Sequence, residues 1–413
     1  MDVLEPRVGA CDIGKSVIVA CVRIAEPGKK PRSEIRSFGA MTRDLLGLHD
    51  WFAEQRVGLV IMEATGDYWK PVFYLLEDHF PKVWLVNARD VAKVPGRKSD
   101  VKDAAWLAQL GQHGLVSPSF VPPEPIRQLR DLTRQRTNLV VERTRALNRL
   151  EKVLEDAGIK TSAVLSKTLG VSARAMIEAL IAGERDPIVL ADLALGRARS
   201  KIADLRAALV GRFNDHHAFL ARQALLHIDT INAQIDAFTV RIEREIAPFR
   251  DVIKHLITIP GVSDRVAQII VAETGADMTR FPTAADLASW AGVSPGLNTS
   301  AGKQKSAATT HGNVWLRSAL GDAAASAART KNTFLGGYYR RLAKRRGARR
   351  ALVATMRKIL TAAWHMMTES VDYQDLGADY WHTNPHHTER RKARLIAELT
   401  ALGVDTSTLR TAA

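Results

Sequence analysis

Four carboxylates stand out by type and spacing. Asp12 ends a short apolar run, and Glu63 closes the run Val57 to Glu63 (VGLVIME). Asp100 and Asp103 lie three residues apart at the start of a helix-forming segment. A carboxylate at the end of a buried strand is costly unless something positive meets it. Residues three apart on a helix share a face. Clustered carboxylate oxygens suit a hard cation such as Mg2+. Two such ions about 4 Å apart can activate an attacking oxygen and stabilise a leaving one in phosphodiester chemistry. Singly, the same residues have plainer uses: Asp12 in a turn, Asp100 as a helix N-cap, Asp103 in a first turn. As an ordered set, Asp12, Glu63, Asp100 and Asp103 read as a two-metal site. Lys15, after the Gly14 turn, and Lys98 and Lys102, on either side of Asp100, either meet backbone phosphates or lie solvated.

The second half of the chain offers weaker single signals. The stretch Leu256-x-x-Ile259-Pro-Gly-Val-Ser263 reads as a helix-hairpin-helix with turn N–H groups facing a phosphate, or as a plain turn between helices. From Trp290 to Lys303 runs a small, polar, glycine-containing loop of the kind that exposes a hydroxyl. Serine is a weak nucleophile until activated. No Ser-His-Asp or Gly-x-Ser-x-Gly pattern accompanies Ser300, so by type alone it is an ordinary loop serine. Residues 340–358 hold nine basic and no acidic side chains. A solvated helix face mixes signs, so this run points to nucleic acid. Arg341, Arg345 and Arg349 are its candidate contacts, joined by Lys303, Arg317 and, on a long arginine-rich helix, Arg130 and Arg134. Tyr338 and Tyr339 stack on bases or simply pack. The pairs His216-His217 and His386-His387, and His365, lack metal-site spacing and read as structural or surface residues.

The elements that would position these residues follow from apolar periodicity. Strands are expected at Val8–Asp12, Ser16–Ile24, Glu34–Phe38, Val57–Glu63 and Val83–Val86, with helices at Arg43–Gln55, Asp67–Asp78 and from about Asp100. The order β-β-β-α-β-α-β-α predicts a mixed sheet flanked by helices, as in the ribonuclease H and RuvC type of fold. Val121-Pro-Pro-Glu-Pro125 reads as a stiff linker. Beyond it, Leu129, Leu132, Leu139, Ala146, Leu150 and Val153 form a heptad-like seam on a helix from Ile126 to Asp156, interrupted by Arg136 and Arg143. A second such helix, Ala218 to Ile246, carries Ile228, Ile231, Ile235, Phe238 and Ile242. The reading is α/β plus α: a catalytic domain at 1–118, a coiled-coil arm at 119–250 with a helical insertion at about 158–215, a mostly helical domain at 251–372 and a tail at 373–413.

Composition bounds the functions. The 413 residues are 46% hydrophobic and 25% charged, a globular balance that excludes wholesale disorder. No apolar run approaches the roughly 18–20 residues of a membrane span. The start, MDVLEPRVGA, lacks a signal-peptide layout, and the two cysteines, Cys11 and Cys21, suit small core side chains in a reducing cytoplasm. Formal charge is +15, yet residues 1–115 hold 16 basic and 15 acidic groups. The remaining 43 basic and 29 acidic groups place the surplus outside the first domain, as for a polyanion partner.

Taken together, Asp12-Ile-Gly-Lys15, Glu63-Ala-Thr-Gly66-x-Tyr68 and Lys98-Ser-Asp100-x-x-Asp103-Ala104 resemble the N-terminal motifs of the DEDD transposases of the insertion sequence 110 family, relatives of the Piv invertases. Ile259-Pro-Gly261, Gly292-Val-Ser-Pro295, Ser300-Ala-Gly302, Gly312-Asn313 and Leu316-Arg317 are similar to that family's C-terminal domain. Gly14, Ser99 and Ala301 depart from the commoner family residues. The resemblance implies a RuvC-like domain, a coiled-coil arm and a serine-bearing domain. It implies Mg2+ on the four carboxylates and a covalent phosphoserine at Ser300. It also implies donor and target DNA, a structured guide (bridge) RNA encoded by the element, a tetramer built of dimers, and a prokaryotic cytoplasm. Two other readings stay open on the residues themselves: a metal-dependent junction nuclease or RNA-independent invertase, and a non-catalytic nucleic-acid-binding protein.

Overall fold

The computed structural model describes residues 2–64, 66–91, 103–296, 298–300, 303–306, 308–380 and 385–404. The two apolar runs beside Gly14 form β1 (Arg7–Ile13) and β2 (Val17–Ile24), antiparallel from Arg7↔Ile24 to Ile13↔Ile18. The Gly14 N–H donates to the Val17 carbonyl at 2.9 Å, and a Cβ on Gly14 would sit 3.0 Å from that oxygen. A side chain here would therefore press on that carbonyl by a few tenths of an ångström. β3 (Arg32–Gly39) adds to β2 as an edge strand, and Arg32, Glu34 and Arg36 keep that edge charged. After α1 (Thr42–Glu54), β4 (Leu59–Glu63) runs parallel to β1. After α2 (Trp69–Leu76), β5 (Lys82–Val86) runs parallel to β4. A short α3 (Ala88–Val91) and then α4 (Asp103–Gln112) follow. The sheet order β3-β2-β1-β4-β5 is consistent with a RuvC-like domain.

Strand alternation divides this unit, residues 1–121, into two cores. Cys11 and Ile13 pack with Leu48 and Phe52 of α1 and Leu76 of α2. Val8, Ala10, Leu59 and Ile61 pack on the other face with Ala104, Leu107 and Ala108 of α4. Cys11 and Cys21 are buried free thiols in opposite cores. Burial pushes both thiols up, Cys21 to about 11 and Cys11 further, so both are inert packing groups.

The second unit, residues 122–413, begins with α5 (Glu124–Asp156). Short helices α6 (Thr161–Val164), α7 (Val171–Ala182), α8 (Pro187–Asp192) and α9 (Ile202–Ala208) follow, then α10 (Asp215–Glu245). Arg143 bonds Asn232 and Asp156 meets His217, so α5 and α10 lie antiparallel. The short helices share one core with the far ends of both, through Met176, Ile177, Leu190 and Leu205 against Leu150, Leu154, Ala221 and Leu225. The expected seam shifts in detail. Leu132 and Val153 are half-buried, while Thr133, Leu154 and even Arg136 are buried. Arg136 belongs to the packed face because it donates to Gln268 at 2.7 Å. His217 closes a capping box with Asn214 at the start of α10, which accounts for it structurally.

The rest of this unit is α11 (Arg250–Leu256), α12 (Asp264–Thr274), α13 (Ala284–Trp290), a ribbon of β6 (Asn298–Ser300) and β7 (Lys303–Ser306), α14 (Val314–Arg329), α15 (Phe334–Arg346), α16 (Ala348–Glu369) and α17 (Pro385–Ala401). Every residue of α12 from Val266 to Thr274 is buried. The stretch expected as a helix-hairpin-helix or a plain turn joins α11 to α12. Gly261 has φ +92°, and a Cβ on it would lie 2.4 Å from the Ala323 carbonyl, so this turn is seated on α14. No helix among the described residues is long and apolar enough to cross a membrane.

Candidate functional site

The β1–β4 pairing runs from Val8↔Leu59 to Cys11↔Met62. The next rung sets Asp12 level with Glu63, near the C-terminal ends of two parallel strands. Alternation puts both on the face covered by α4. Asp103 is the first residue of α4, followed by Ala104, which is buried against that face. Three of the four expected carboxylates thus come to one edge of the sheet, all half-buried. In open α/β sheets this is the edge where ligands bind. Oδ1 of Asp103 is buried and has no hydrogen-bond partner among the described residues. Carboxylate oxygens are the right donors for a hard cation. Among the described residues, no three His, Cys, Asp or Glu side chains form a group that could hold a metal by themselves. Asp100, Lys98 and Lys102 lie outside the described residues. Lys15 is exposed beyond Asp12 and lines a cavity of about 180 Å³ with Asp67 and Tyr68.

Ser300 sits in a β-ribbon rather than the expected irregular loop. It pairs with Lys303, and Thr299 pairs with Gln304, with a register shift before Asn298↔Ser306. Lower down, the Gly296 N–H donates to the Ala308 carbonyl at 3.0 Å, and Pro295 bridges Thr309. The ribbon is rooted where Gly292 (φ +70°) meets Gly312 (φ +55°). A Cβ on Gly312 would lie 2.4 Å from the Ala291 carbonyl, so the two ends of the ribbon touch backbone to backbone.

Beside this root lies a buried ion-pair network that sequence reasoning missed. Glu273, near the end of α12, is fully buried. Its carboxylate accepts two bonds from Arg134, each 2.7 Å, and one from Asn313 Nδ2, also 2.7 Å. Arg130 Nε lies 3.4 Å from the same carboxylate and donates to the Ala272 carbonyl at 3.0 Å; its Nη2 donates to the Glu273 carbonyl. Arg134 also stands over the Trp315 ring, 5.7 Å from its centroid. Arg130 and Arg134, expected as nucleic-acid contacts, are the ionic partners of this carboxylate, and Arg134 keeps about a third of its side chain exposed. A buried carboxylate must be paired. The signal in the sequence was Glu273 itself, a lone acid in the apolar run Ile269 to Ala272.

A groove of about 1140 Å³ opens between the ribbon root and the basic helices. Pro295, Ala308 and Thr309 form one wall; Arg346, Arg349, Arg350, Arg357 and Lys358 form the other, with no acidic residue in the lining. Of the expected contacts in this run, the groove takes in Arg349, while Arg341 and Arg345 are exposed on α15 outside its lining. Tyr338 lines the groove and packs: it stacks on Phe334 at 6.3 Å, and the Lys358 ammonium stands 6.0 Å from its ring centroid. Arg317 donates to the Thr310 carbonyl at 3.2 Å, bracing the returning end of the ribbon.

Residues 9–159 match the profile of the DEDD transposases of the IS110 type, described as "Transposase". Residues 253–340 match a second one, "Transposase IS116/IS110/IS902 family". The carboxylates fall in the first stretch; the ribbon and Glu273 fall in the second. The chain is 25% identical over 336 residues to the "Transposase for insertion sequence element IS1111A" of Coxiella burnetii, covering 78% of this chain and 81% of that protein. It is 24% identical over 336 residues to the "Probable family 20 transposase" of Pseudomonas aeruginosa, covering 79% and 89%.

Proposed function

Since the chain belongs to the insertion sequence 110 family of transposases, we propose that it cuts and rejoins donor and target DNA through a covalent bond between Ser300 and a DNA phosphate. The observation that supports this reading is the placement of Asp12, Glu63 and Asp103 at the same edge of the sheet, with a buried Asp103 oxygen that has no partner among the described residues. Asp12, Glu63, Asp100 and Asp103 would hold Mg2+, which when bound would neutralise charge at the phosphodiester under attack. In the covalent step, a bond forms between Ser300 Oγ and phosphorus as one P–O bond of the strand breaks. The serine gives up its proton, and the departing oxygen takes one up. Attack by a DNA hydroxyl on the phosphoserine then rejoins a strand and restores the serine.

Nucleic acid is held by charge. Lys15, Lys98, Lys102, Arg130, Arg134, Lys303, Arg317, Arg341, Arg345 and the groove residues around Arg349 contact phosphates, which fixes position without reading sequence. Sequence is read by pairing with a guide RNA, as in other RNA-guided systems. The active form is a homo-oligomer.

Covalent trapping tests the proposal. The protein is incubated with RNA from its flanking region, labelled donor and target duplexes and Mg2+, then run on a denaturing gel. The expected result is a protein–DNA adduct, lost in Ser300→Ala and in Asp12→Ala. Free cut ends without an adduct, unchanged by Ser300→Ala, would replace the covalent mechanism with direct metal-dependent cleavage. Omitting the RNA separates guided from unguided action.

A further inference from the structure

We infer that Glu273 is a positioning residue for the Ser300 ribbon, acting through Asn313; the inference rests on Ser300 being the nucleophile. Charge balance for this buried carboxylate comes from the two arginines of α5. Yet Glu273 spends an oxygen on Asn313 Nδ2, at 2.7 Å. The other side-chain atom of Asn313, Oδ1, caps α14 by accepting from the Trp315 and Leu316 N–H groups at 3.1 and 3.0 Å. The amide is thereby fixed at both ends. Gly312 precedes it in the chain and packs on Ala291 and Gly292, where the ribbon leaves α13. Both ends of the ribbon are therefore held one residue from the atom that Glu273 grips. The carboxylate in turn is clamped to α5, so the ribbon root is referenced to the long helix rather than to a surface loop. A reactive oxygen must be placed to within about an ångström, and misplacement by that much can cost about 100-fold in rate.

The test uses the full chain with its RNA and DNA, and reads the adduct rate at saturating DNA beside DNA affinity and melting temperature. Asn313→Ser keeps a capping oxygen and leaves Glu273 with both arginines, so it cuts only the tie. The adduct rate is expected to fall about tenfold or more, with DNA affinity and melting temperature near the parent's. The pair Glu273→Gln with Asn313→Asp reverses the hydrogen bond and keeps one negative charge in the network. It is expected to recover most of the rate that Asn313→Asp alone loses. A full adduct rate in Asn313→Ser, or no recovery in the reversed pair when it is folded, overturns the inference. Ser300→Ala is run alongside. An adduct that survives it removes the nucleophile reading instead, and the positioning role with it.

Discussion

Asp103 holds a buried oxygen with nothing to accept from among the described residues, and that oxygen bears on stability as well as chemistry. An unsatisfied buried polar atom costs about 1–3 kcal/mol, more when charged. Asp103→Asn relieves the charge while keeping the shape. Without divalent cations, the variant should melt no earlier than the parent, while forming no DNA adduct with them. A clear drop in melting temperature would mean that the folded chain itself holds the carboxylate. Asp12, Glu63 and Asp103 were legible because each interrupts or ends an apolar pattern at a place where strands and helices end. Glu273 was not legible as a site. Its partners Arg130 and Arg134 come from about 140 positions earlier and look, on their own helix, like any solvated basic face.

At the scale of elements, the long helices and the five strands were readable because their apolar spacing persists over many residues. The ribbon was not. Its strands of three and four residues carry no alternation to detect, and its existence depends on the glycine contact at its root. The short helices between α5 and α10 are tied to the pair by Arg174, which donates to both oxygens of Asp229 at 2.6 and 2.7 Å. Those bonds hold the Asp229 carboxyl below its usual range. Its stabilisation is fully present above the unfolded value of about 3.9 and is lost as pH falls through the lower folded value. Asp229→Asn should therefore lower the urea midpoint at pH 7, by no more than about 1 kcal/mol for so exposed a pair. The gap to the parent should close below about pH 4. A gap that stays constant down to pH 3 would assign the loss to packing instead.

For the whole molecule, charge is the dominant property. The net +15 of the chain is concentrated outside the sheet domain, and the groove between ribbon and basic helices is its sharpest expression. Nucleic-acid affinity should fall steeply with salt. Arg349→Ala and Arg350→Ala should each flatten the plot of log affinity against log salt by roughly 0.7–0.9, equally for different sequences. A changed preference among sequences at constant slope would mean that these arginines read bases. The charge imbalance could be read from composition. The groove could not, since one wall comes from the ribbon and the other from helices about 40 positions further along. The contact between Gly312 and Gly292 also defines the connectivity of this half of the chain. The backbone leaves the helical domain after Gly292 and returns to it at Gly312, and these two points touch. A direct join of 292 to 312 would pass the chain from α13 to α14 almost without displacement. The segment bearing Ser300 is thus, in architectural terms, a lobe on a single stalk, and its two glycines are the stalk.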